Sequence, residues 1–186
     1  MEKRSNHKTS LLILLGITLV LSAFWINSER SMSYPEPHEA MFANDKNLVL
    51  IPAYKLNNEA LFFFIKDQQF FGAAKLNKGL FGWKQPLMAW DPMSDRSTYD
   101  IPGSLQGYGD YLVYGLIKNN DADYRIEVNE KDAVILPFAM LPPEKVKAYE
   151  LEDLYLWYFE SKEPLHHGRI EFLNRDTLEL IERVDF

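Results

Sequence analysis

The chain has no cysteine. That excludes disulfide staples, a thiol nucleophile, thiolate metal sites and attachment to lipid through a cysteine. Histidine is scarce: there are four in 186 residues, and His7 and His38 lie beside the first apolar segment. A zinc site needs three or four ligands, so only His166-His167 suggests one, and neighbours on a strand point to opposite faces. No metal or other cofactor is expected. Positive charge is also short. From residue 31 onward 16 Lys and Arg stand against 25 Asp and Glu, a balance unsuited to binding nucleic acid. There is no G-x-S-x-G elbow, and residues 103–109, GSLQGYG, lack the Gly-Lys-Ser/Thr ending of a phosphate loop.

Long apolar runs are absent too, with one exception. Residues 10–26, SLLILLGITLVLSAFWI, carry no charge and follow Lys3, Arg4 and Lys8. At about 1.5 Å per residue such a run, at the short end of the usual range, spans a bilayer core of about 30 Å. It is apolar on every face, unlike a helix lying on a protein core. Trp25 stands at its far end, where an amphipathic ring suits the headgroup region. The expected organisation is a basic cytoplasmic N-terminus at 1–9, a transmembrane signal-anchor at 10–26 and a juxtamembrane linker at 27–37. The basic flank places the following domain outside the cell membrane. A cleaved signal peptide, giving a secreted protein, is the alternative. It requires a small-x-small site, whereas Ser22-Ala23-Phe24-Trp25-Ile26-Asn27 is bulky and Ser31-Met32-Ser33 is distant.

Beyond the linker the hydrophobic period changes. Pro37 and the cluster Ala40 to Ala43 suit a short helix over 37–45. Short runs rich in Val, Ile, Phe and Tyr follow at 48–54, 60–66 and 69–76, parted by Asn57-Asn58 and Asp67-Gln68, and read as strands joined by tight turns. Pro and Gly crowd residues 84–109, which read as an irregular connection. Further strands are expected at 111–117, 124–129, 133–138, 154–160, 168–173 and 178–184, with a short helix in Pro142 to Glu150. The fold class is therefore mainly β (α+β): an apolar helix, a β-rich antiparallel lobe at 38–90, a connecting loop at 91–110 and a second lobe at 111–186.

The most distinctive string is Gly79-Leu80-Phe81-Gly82-Trp83-Lys84. Glycines beside aromatics suit a turn that folds Trp83 over a sheet, and the competing reading makes the rings a stacking surface for a sugar or peptide. Phe81, Trp83, Trp90 and Trp157 are the candidate binding residues. Asp91, Asp95 and Asp100, and the group Asn119, Asn120, Asp121 and Asp123, do not match the spacing of a calcium loop; turn chemistry accounts for them. Glu160, Glu163 and Glu171 lie nearest an aromatic strand and are the carboxylates for a rival reading as a wall-associated hydrolase.

The run IPAYKLNNEALFFFIKDQQFFGAAKLNKGLFGWK, from Ile51 to Lys84, resembles the first lobe of small uncharacterised membrane-anchored or exported proteins of Bacillus-group bacteria. Residues 111–117, YLVYGLI, and 156–158, LWY, are similar in the second half. The resemblance implies placement in a cell envelope and carries no known activity or catalytic residues. Together these features lead to the expectation of a non-catalytic binding or interaction module. Its anticipated partners are the membrane, through the helix, and an envelope protein or wall component.

Overall fold

The computed structural model describes residues 3–93, 105–118 and 124–186, without side chains for 3–9. The side chains of Lys3, Arg4 and Lys8, the acids Asp95 and Asp100, the first two residues of the Gly103–Gly109 string and the Asn119–Asp123 turn therefore lie outside the described residues. Fourteen strands and three helices are formed among the described residues: α1 (Lys3–Ser31), β1 (Ser33–Tyr34), α2 (Pro37–Phe42), β2 (Val49–Lys55), β3 (Glu59–Lys66), β4 (Phe70–Gly79), β5 (Gly82–Lys84), β6 (Met88–Pro92), β7 (Gln106–Tyr108), β8 (Leu112–Lys118), β9 (Tyr124–Val128), β10 (Lys131–Asp132), β11 (Val134–Pro137), α3 (Pro143–Ala148), β12 (Leu154–Glu160), β13 (Arg169–Asn174) and β14 (Leu180–Asp185). A 3-10 turn, Phe138–Met140, follows β11. The protein is mainly β and antiparallel, behind one apolar helix.

Two compact units interleave in sequence. The first holds Met1–Asn47, Pro52–Leu61 and Lys75–Leu87, and the second holds Leu48–Ile51, Phe62–Ala74 and Met88–Phe186. The division thus crosses strands β2, β3 and β4 rather than falling in the 91–110 segment.

In the first unit α1 is long and apolar enough over Ser10–Ser31 to cross a membrane, and its apolar residues from Leu11 to Ile26 are exposed. The helix does not stop at Ile26. It runs on through Asn27, Ser28, Glu29 and Arg30, and the segment expected to be a linker continues directly into β1. The physical reason lies in its last turn, where free carbonyls need donors. The Ser31 hydroxyl donates to Ser28 O at 2.8 Å and the Ser33 hydroxyl to Glu29 O at 2.7 Å. Lys84 Nζ also reaches Glu29 O at 3.5 Å and pairs with the Glu29 carboxylate. A cation at this end further complements the helix dipole.

The sheet that starts at β1 has the strand order β1-β5-β4-β3-β2. Ser33 stands opposite Lys84 and Tyr34 opposite Trp83. Gly79 pairs with Gly82, leaving Leu80-Phe81 as a two-residue loop. Gly82 has φ 144°, and a Cβ there would lie 2.4 Å from Tyr34 O, so glycine is what lets β1 dock. The short helix α2 begins at Pro37 as expected, with the Glu36 N–H donating to Glu39 Oε2 at 3.3 Å.

The second unit stacks three β layers. One contains β6 paired with β4 from Phe70 to Ala74. The β3-β4 turn places Asp67 and Gln68 at φ 51° and 58°, closed by the Gln69 N–H on Lys66 O, the primed geometry that matches strand twist. The middle sheet has order β11-β12-β8-β7 and the outer one β10-β9-β13-β14. Alternation along β8 and β12 sends Tyr114 and Tyr158 to one face, where both rings pack on Phe63 at 5.1 and 5.3 Å. It sends Val113, Ile117 and Trp157 to the other, onto Ile126, Val128, Ile170 and Phe172 of the outer sheet. This explains why β8 and β12 are apolar almost throughout: both faces are covered.

Two strands stand where sequence reading expected irregular chain. Met88–Pro92 pairs along β4, with Pro92 at the strand end opposite Phe70, and Gln106–Tyr108 pairs along β8. Each has one neighbour among the described residues, the edge setting in which proline and glycine are tolerated. Gly72 makes the first pairing fit: a Cβ there would meet Ala89 O at 2.2 Å, Phe64 at 2.7 Å and Trp90 at 2.8 Å.

Candidate functional site

The four expected ring residues separate into two kinds. Trp83 is 1% exposed and Trp157 2% exposed, so neither presents a ring face to a ligand. Trp157 faces the outer sheet because it is opposite Gly115 on β8, and it meets Phe172 edge-on at 5.9 Å. Trp83 turns inward beside Tyr34 and Lys78, its partners on β1 and β4. Both rings pack as core side chains. Phe81 and Trp90 are open, at 40% and 42%. Phe81 caps the Leu80-Phe81 loop of the first unit. Trp90 lies on β6 of the second, with Phe64 edge-on at 6.3 Å and Lys66 Nζ 4.8 Å above its ring. A lysine already occupies that cation-binding face.

The rival carboxylates are also placed. Glu171 faces outward on β13 directly opposite Arg183, which donates to it through Nε at 3.0 Å and Nη2 at 2.7 Å. On its other side it stands opposite Glu127, which Arg125 holds at 2.9 Å. Arginine thus commits these two acids as cross-strand pairs on a sheet face. Glu160 ends β12 and Glu163 lies in the following loop, where its backbone N–H donates to Ser161 Oγ at 3.1 Å. His166 and His167 are exposed in the same loop, and no three potential ligands converge among the described residues.

A cleft of about 540 Å³ opens instead in the second unit, where strands of the middle and outer sheets diverge. Its apolar lining comes from Ile117, Ile126, Ala133, Ile135 and Pro137; its polar groups are Tyr124, Arg125, Asp132, Tyr155 and Arg175. Local chain geometry explains the polar set. Strand alternation gives Arg125 to the surface beside buried Ile126. There Arg125 Nε donates to Asp132 Oδ1 at 2.7 Å, and that carboxylate holds the guanidinium above its ordinary pKa. Arg175 sits in the β13-β14 turn, which Asn174 shapes by accepting the N–H groups of Asp176 and Thr177 at 2.9 Å each. It makes no ion pair among the described residues.

The cleft therefore joins an apolar floor, two phenols and one guanidinium not spent on a carboxylate among the described residues. Such a set suits an amphipathic ligand with a negative head and an apolar body. None of the four expected ring residues lines it. Its contributors come from five strands and a turn, and no local spacing in the sequence brings them together. The one legible trace is Asn174-Arg175-Asp176-Thr177, a turn string carrying a cation in an acidic chain.

A second, more open depression lies in the first unit around Pro35, Glu36, Lys55, Leu56, Asn57, Asn58, Glu59 and Lys78, and Trp83, one of the expected ring residues, also lines it. Its charges answer one another: Lys55 pairs with Glu36, whose carboxyl it holds below the usual range, and Lys75 reaches Glu59 at 3.7 Å. Compared with protein-family models, curated proteins and solved structures, the chain matches none.

Proposed function

We propose that this is a membrane-tethered, extracytoplasmic binding module of the cell envelope, and that the cleft of its second unit takes an amphipathic anion. The observation that carries the reading is Arg175, a cation without a carboxylate partner among the described residues, set beside an apolar floor in a domain of marked acidic excess. The basic flank Lys3, Arg4 and Lys8 supports a cytoplasmic N-terminus, and the resemblance to Bacillus-group proteins supports envelope placement. A carboxylate-terminated peptide or wall component is the class of partner such a cleft accommodates.

The test is photo-crosslinking in intact cells, with a benzophenone side chain replacing Tyr124 at the cleft. Capture of a partner that is lost on adding Arg175→Ala, and that is absent when the probe replaces Leu180, supports the reading. Capture that ignores Arg175 sinks it.

A further inference from the structure

We infer that the first unit is seated on the bilayer surface through Met32 and Leu87, with the Glu29–Lys84 pair fixing it there. This rests on the reading that α1 spans a membrane and stays attached. The 22 residues Ser10–Ser31 extend about 33 Å at 1.5 Å per residue, against a hydrocarbon core of about 30 Å. The last turn, Ser28 to Ser31, then emerges among the headgroups, one turn beyond the exposed Trp25.

Lys84 is tied to that turn twice, to the Glu29 carboxylate and to Glu29 O. It is therefore held at headgroup depth. Leu87 is three residues further along, within about 10 Å even for a fully extended chain. It is 86% exposed, and Met32, the first residue after the helix, is 54% exposed. Gln85, which follows Lys84, donates its side-chain amide to Asn44. Two exposed apolar side chains thus flank the point where the chain leaves the bilayer, and lipid is the apolar phase adjoining that point. By contrast Leu80, 84% exposed, lies beyond β5 at the opposite end of its short strand from Lys84.

The absence of cysteine makes single-site labelling unambiguous. Full-length Met32→Cys, Leu87→Cys and Leu80→Cys proteins carrying a nitroxide are placed in phosphatidylcholine nanodiscs, and collision with a water-soluble nickel chelate is compared with collision with oxygen. Labels 5–10 Å into the headgroup and acyl boundary should collide with the chelate at least about threefold less than the Leu80 label. Adding Lys84→Ala to Leu87→Cys should return that label to aqueous access while Met32 stays protected. A Leu87 label as accessible as Leu80 overturns the seating, as does one that ignores Lys84→Ala. Intact mass of the protein recovered from cell membranes separates the two readings. A chain beginning beyond Ser31 removes the anchor itself, whereas a retained helix with an aqueous Leu87 removes only the seating.

Discussion

Replacing Gly82 by alanine should loosen the joint between helix and sheet without disturbing the second unit. Gly82 occupies φ 144°, and its added Cβ would stand 2.4 Å from Tyr34 O and 3.1 to 3.2 Å from other Tyr34 backbone atoms, against ordinary contacts of 3.4 Å or more. Backbone cannot swing away as a flexible side chain would. A non-glycine residue held in such a region costs about 1–3 kcal/mol. The β1–β5 pairing is only two residues long, so β1 gives way first. The Glu29–Lys84 pair and the Ser33 cap on Glu29 O are then lost with it. At 1.4 kcal/mol per factor of ten, the open joint becomes about 5 to 150 times more populated.

Arg30 reports that opening, because it lies in the final helical turn and trypsin needs an extended chain to cut there. When opening and closing are fast relative to cleavage, the cleavage rate follows the open population. Trypsin acting on the reconstituted protein should therefore cut after Arg30 about 5 to 150 times faster in Gly82→Ala. An unchanged rate would refute the claim that β1 docking holds the helix end.

Further outcomes follow from the second unit. Trp157→Ala should cost about 3–5 kcal/mol, a large part of the 5–15 kcal/mol typical of a domain, and a loss under about 1 kcal/mol in denaturant unfolding would contradict its role between the sheets. Burial first, and then Asp91 and Tyr108, push the Tyr114 phenol well above its ordinary pKa, and burial and Glu160 raise that of Tyr158. Groups raised on folding stabilise fully below the unfolded value near 10 and lose that contribution as pH climbs past it. Phenolate absorbance should then titrate late for these two tyrosines, together with unfolding; early titration of all ten would contradict the buried placement. Glu171→Gln breaks a pair on a solvated sheet face and should change stability by no more than about 1 kcal/mol. A loss of several kcal/mol by calorimetry would mean that Glu171 serves a buried role.

Strands were legible where two signals agreed. The alternation and β-branched content of Val49–Lys55 or Arg169–Asn174 coincide with turn residues on either side, and Asp67-Gln68 adopts the positive φ that a tight hairpin requires. What stayed hidden was set by remote pairing. Ser33–Tyr34 is too short for any period and becomes a strand only because Gly82 admits it. Met88–Pro92 contains a proline that argues against a central strand, yet lies on an edge beside Gly72. Burial of Trp83 and Trp157 depended on which face of a sheet was covered, which composition does not reveal. The cleft has the same character: residues from 117 to 175 meet there through strand pairing and sheet packing.

The central claim is that an uncleaved helix continues into the folded domain as one built joint. It is tested most directly by the intact mass of the protein extracted from the membranes of cells that express it. The account predicts a membrane-bound species that retains Ser10–Ser31, near the full 21.7 kDa. A soluble species beginning at or after Ser31 would contradict it.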